Sequence, residues 1–61
     1  MTGKEVRTLL EKNGWVLWKI KSSHHHLIKV GTDIVIVVPI HGTKELRPGT
    51  LNTILKAAGL K

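Results

Sequence analysis

The sequence predicts an α+β domain in which two helices cover one face of a three-stranded antiparallel sheet, in the order helix, strand, strand, strand, helix. Three observations carry that expectation. Apolar residues recur at helical spacing near both ends of the chain, at Val6, Leu9 and Leu10 and again at Leu51, Ile54, Leu55 and Ala58. Between them lie three short runs rich in β-branched and aromatic residues, separated by inserts short enough for hairpins. Each helix has one apolar stripe, so both need the same apolar sheet face, and the opposite face is left to solvent or ligand.

The first helix is expected over about residues 3–13, with Lys4, Glu5, Arg7, Glu11 and Lys12 on its polar side. Thr2 and Glu5 fit a capping box, and Asn13-Gly14 supplies a residue able to end the helix in the left-handed region. Trp15 to Ile20, Leu27 to Val30 and Ile34 to Val38 read as the strands. Gly31-Thr32-Asp33 turns the second run into the third, and the link around Lys21-Ser22-Ser23 suits another hairpin. Pro39 cannot donate to a ladder and marks the exit from the third strand. A loop from Ile40 to Arg47 leads into the second helix, whose start suits Pro48 in the first turn or Thr50 as the cap, and whose stop is Gly59.

A chain of 61 residues has material for one core, so residues 1–61 are expected to form a single domain. Without cysteine it has no disulfide framework and no thiolate metal site, and a reducing compartment suits it. The longest apolar run, Ile34 to Ile40, is far short of the roughly 20 residues of a membrane-spanning helix. Since no apolar segment follows Met1-Thr2-Gly3-Lys4-Glu5, no signal peptide is expected either, and the reading is a cytoplasmic protein. Ten Lys and Arg against four Asp and Glu give a formal net charge of +6. Fixed positive charge of this density favours a polyanionic partner, nucleic acid or an acidic protein, although solubility alone also calls for a charged surface.

Four residues are histidine, and three of them, His24, His25 and His26, are consecutive. On a strand, side chains alternate, so His24 and His26 share one face with Ile28 while His25 shares the other with Leu27 and Lys29. An imidazole beside cations can both take and give a proton near neutrality, which metal-free RNA cleavage requires: a base removes the ribose 2′-hydroxyl proton, and an acid protonates the departing 5′-oxygen. His24, His25, His26 and His41 are the candidates for proton transfer, and Lys19, Lys21, Lys29 and Arg47 for stabilising the phosphorane charge. Two other readings compete. The histidines are solvated strand residues, or His24, His26 and His41 form a metal site, which the absence of a supporting carboxylate or thiol disfavours. Trp15 and Trp18, three apart, face opposite sides, one toward the core and the other at an edge or open to stack on a base.

Gly14-Trp15 after a short helix, Ser22-Ser23-His24-His25-His26 opening the second strand, Val37-Val38-Pro39-Ile40-His41-Gly42, and Lys44-Glu45-Leu46-Arg47-Pro48-Gly49-Thr50-Leu51 followed by Ile54 to Leu60 together resemble the HicA toxins. The resemblance covers nearly the whole chain. It implies a double-stranded-RNA-binding-domain-like fold and a messenger-RNA-cleaving toxin of a type II toxin–antitoxin pair, neutralised by a HicB-type antitoxin, with no metal or cofactor. The family's Gly-Ser-His motif falls on Ser22-Ser23-His24, which makes His24 the implied catalytic histidine, with His25 as the alternate register. Ser22 stands where a glycine is usual. Pro39-Ile40-His41 is similar to the family's Pro-x-His, whose histidine either contacts substrate or braces the loop. Lys19, Lys21, Ser22, Ser23 and Lys29 are then the expected RNA-binding residues, while Lys44 to Leu51 is a structural connection. The competing functional readings are a non-catalytic RNA-binding module, disfavoured by the nearly neutral start of the last helix, and a protein-interaction subunit of the same fold.

Overall fold

In a computed structural model of the protein, which describes residues 1–61, the five expected elements form in the expected order. They are α1 (Gly3–Lys12), β1 (Val16–Lys21), β2 (His24–Ile28), β3 (Val35–Pro39) and α2 (Pro48–Ala57).

Both helices are bounded by local chemistry. Thr2 Oγ1 accepts from the Glu5 amide at 3.2 Å, while the Thr2 amide donates to Glu5 Oε1 at 2.8 Å, which completes the capping box. At the other end, Gly14 takes φ +91°, the Trp15 amide donates to Leu10 O at 3.0 Å, and the Gly14 amide donates to Glu11 O at 3.3 Å. This Schellman closure reverses the chain so that Trp15 drops into the core. The same closure ends α2, where Leu60 donates to Leu55 O and Gly59, at φ +74°, to Lys56 O. Of the two starts offered for α2, Pro48 is the first helical residue and Thr50 lies inside the helix. Arg47 is the cap and makes no side-chain capping bond, because a guanidinium has no acceptor to offer the amides of the first turn.

The strands form one antiparallel sheet in the order β1-β2-β3, so β2 is paired on both sides. Leu17, Leu27 and Ile36 lie abreast on one face, and Val38 is two residues further along β3. Both helices pack on this face against β3, and α1 also reaches β1. The core consists of Val6, Leu10, Trp15, Leu27, Ile36, Val38 and Ile54, with no buried polar or charged residue among them. α1, the Trp15 link, β2, β3 and a single position of α2 supply it, so the loss of any one large side chain is costly. The second strand ends at Ile28, earlier than its apolar run suggests, and Val30 beyond it is 92% exposed.

Gly3 is the tightest point of the assembly. It is buried against the end of β3, where a β-carbon would collide with the Pro39 carbonyl oxygen and press on Ile40. Backbone cannot swing away as a flexible side chain would. Gly3→Ala should therefore destabilise the protein by about 1–3 kcal/mol despite alanine's better helix propensity. Urea unfolding checks this, and a variant as stable as wild type would show that the α1–β3 approach is looser than described.

Candidate active site

The β1–β2 hairpin carries most of the candidate residues. Its two-residue turn, Ser22-Ser23, joins Lys21 to His24, which are direct cross-strand partners, and the next pair on the same face is Lys19 with His26. Directly opposed side chains in such a ladder have β-carbons about 4.5–5.5 Å apart. Two lysines and two imidazoles are thus set as a block on the face that the helices leave open. On its other side His24 pairs with Pro39 and His26 with Val37, so neither meets an acidic neighbour across the sheet. His24 is exposed and His26 is half-buried.

Ser22 has φ +57°, the only non-glycine residue of the chain in the left-handed region. That conformation explains why glycine suits this position, since a β-carbon there crowds the following carbonyl. Ser23 is anchored from the far side, its carbonyl accepting from the Ile40 amide at 2.8 Å. This bond continues the β2–β3 ladder past Pro39, which has no amide hydrogen, and holds the turn firm beside His24.

His25 faces the helices, opposite Val38. Its Nδ1 lies 3.0 Å from Arg7 Nη1. A guanidinium can only donate, so Nδ1 is the acceptor and the ring proton resides on Nε2. Burial and then the adjacent Arg7 charge push the His25 pKa below its ordinary value. Arg7 is in turn oriented from its own helix, with Nε 3.6 Å from Glu11 Oε1 one turn later. The middle histidine is consequently a neutral tether between β2 and α1.

The remaining candidates are spread out. His41 is exposed in the loop after β3, where it lines a shallow polar depression of about 240 Å³ with Pro39, Lys44, Arg47 and Thr50. His24 is not part of that lining. Lys29 follows β2, and its stem runs beside Gly14 at the end of α1. No three histidine or carboxylate side chains come together in a way that could hold a metal ion, so the His24, His26 and His41 cluster considered from sequence does not form. One residue gains importance that sequence did not give it. Arg7 reaches across from α1 with no local sign of doing so.

Compared with models of known protein families, residues 3–60 match the one described as HicA toxin of bacterial toxin-antitoxin. The match takes in every element of the fold and the whole histidine run. No curated protein matches the sequence.

Two predictions follow from the turn and the tether. Because a folded-state pKa below the unfolded value of about 6.5 means that the unfolded chain binds the proton first, the His25 contribution is fully present above that pH. It is lost as pH falls through the lower folded value. Urea midpoints of wild type and His25→Gln, compared at pH 7.5 and 5.5, should show a steeper acid loss in wild type, and parallel slopes would sink the assignment. At Ser22, relief of left-handed crowding offsets the added chain entropy of glycine, so Ser22→Gly should be between neutral and about 1 kcal/mol more stable. Ser22→Val should lose at least about 1 kcal/mol, and equal stability of the two variants would contradict the φ assignment.

Proposed function

The chain belongs to the HicA toxin family of bacterial toxin–antitoxin systems, and from that premise we propose that it is a metal-independent endoribonuclease that cleaves messenger RNA with His24 as its general acid–base. The observation that carries the reading is the division of the histidine run. His24 stands exposed on the open face beside Lys21, while His25 is turned inward and engaged by Arg7. A group that must accept and return a proton needs access to solvent and substrate, and His24 has it.

In this mechanism an imidazole takes the 2′-hydroxyl proton, the oxygen attacks the adjacent phosphorus, and the P–O5′ bond breaks as the leaving oxygen is protonated. The products are a 2′,3′-cyclic phosphate and a free 5′-hydroxyl, with no net gain or loss of protons by the protein. Lys19 and Lys21 stabilise the charge that builds on the non-bridging oxygens. The rigid Ser22-Ser23 turn presents its hydroxyls to the same phosphate, and Lys29 extends the basic rim. His41, in the neighbouring loop, either assists protonation or braces the connection to α2. The family's antitoxin, of HicB type on this reading, neutralises the toxin by direct binding.

The test compares wild type with His24→Ala, His25→Ala and His41→Ala on a long messenger RNA in EDTA. Loss of positioned acid–base catalysis should lower the His24→Ala rate by about 10²–10⁴-fold. His25→Ala should retain the chemistry and lose thermal stability instead. Full cleavage by His24→Ala would remove the proposed role, and abolition of wild-type cleavage by EDTA would replace it with metal chemistry.

A further inference from the structure

Trp18 has no partner in the β1–β2 register, which passes from Leu17 opposite Leu27 directly to Lys19 opposite His26. The extra residue is a bulge, and a bulge re-aims a side chain at the expense of a ladder position. Here it leaves the indole 54% exposed, with Lys19 Nζ 4.4 Å from the ring centroid. The ring also lines a depression of about 330 Å³ whose walls include Ile28, Val30, Ile34 and Val35, with Lys29 on the rim and Asp33 the one acid. Ile28 lies on the same sheet face as His24 and His26, so the depression continues the histidine and lysine block.

We propose that Trp18 and this apolar depression hold an unpaired nucleobase of the RNA, while Lys19 takes the phosphate beside it. The proposal rests on the reading of the open face as the RNA-cleaving surface. Charge and shape both favour a nucleotide as the occupant. An aromatic face paired with a cation, Trp18 with Lys19, matches the base and phosphate of a single-stranded chain, while Lys29 and Asp33 of the lining offset one another. Trp18 adjoins Lys19, whose cross-strand partner His26 is two residues along β2 from His24, about 7 Å at the rise of a strand. The base held here therefore belongs to a nucleotide next to the scissile phosphate that Lys19 and Lys21 contact. Every base has a stacking face, and the subsite therefore demands that the RNA be unpaired rather than that it carry a given sequence.

The experiment measures binding of an uncleavable 2′-O-methyl oligoribonucleotide by wild type, Trp18→Leu and Trp18→Phe, with a series carrying one abasic nucleotide moved along the chain. Trp18→Leu keeps apolar volume without a π-face and should raise Kd about tenfold or more, whereas Trp18→Phe should restore most of the affinity. Wild type should lose affinity when the abasic position reaches one particular step, and Trp18→Leu should be insensitive to it. Thermal unfolding of the leucine variant should match wild type because the ring is half exposed. Equal RNA affinity of wild type and Trp18→Leu overturns the subsite while leaving the nuclease reading intact, and if antitoxin binding falls instead, the indole is a protein contact. Wild type that binds no RNA at all overturns the reading of the open face itself.

Discussion

Burial of Leu27 is the constraint on which the rest of the molecule depends. It is fully enclosed on the central strand, abreast of Leu17 and Ile36, and it is the only core residue that β2 contributes. Side-chain direction on a strand has a period of two, so placing Leu27 inward also decides the direction of every histidine before it. His25 must turn toward the helices, and His24 and His26 must turn away. A slip of one residue would expose a leucine, at about 1.5–3 kcal/mol, and would press two imidazoles into an apolar layer that offers them no partners. The register is held by hydrophobic burial, and the chemistry of the open face inherits it.

The core that enforces this register is thin, and the compensation lies at the ends of the helices. Ten-residue helices are too short to persist alone in water, so both need packing and terminal satisfaction. A capping box opens α1, and matching Schellman closures end both helices. Two buried polar atoms lack a hydrogen-bond partner, Arg7 Nε on α1 and, within the core, Trp15 Nε1. An unsatisfied donor of this kind costs about 1–3 kcal/mol, and the large apolar surface of the same ring offsets it. On the other side of the sheet the balance is reversed, since Trp18, Val35 and Val37 remain more than a third exposed. The face that carries lysines and imidazoles is also the face with apolar surface left to cover.

Features written in neighbouring residues were legible in the sequence, and those made by distant ones were not. Thr2 with Glu5, Gly14 and Gly59 act within one turn of chain, so their roles follow from spacing. Alternation separated His25 from His24 and His26 for the same reason. The Arg7–His25 bond joins residues 18 apart and exists only because α1 packs beside the hairpin. The bulge at Trp18 carries no Gly or Pro to announce it, and the Arg47 cap departs from the usual capping residues. Ser22 falls between these cases. Its departure from the family's glycine is visible in sequence, but the left-handed backbone that gives glycine its advantage is visible only in the fold.

The inward turn of His25 has a consequence for catalysis that composition alone would hide. Three adjacent imidazoles on one surface would compete for protons and repel one another once charged. Dividing them between faces leaves the open side with two, each opposite a lysine, and gives the third to a guanidinium that fixes its tautomer. Arg7 thereby couples the position of α1 to the strand that bears His24, and it does so from the face opposite the proposed RNA-binding surface. Under the proposed mechanism, a change that loosens α1 would disturb the reaction through the backbone of β2 without touching RNA. On that mechanism the helix layer positions the chemistry, and the open layer performs it.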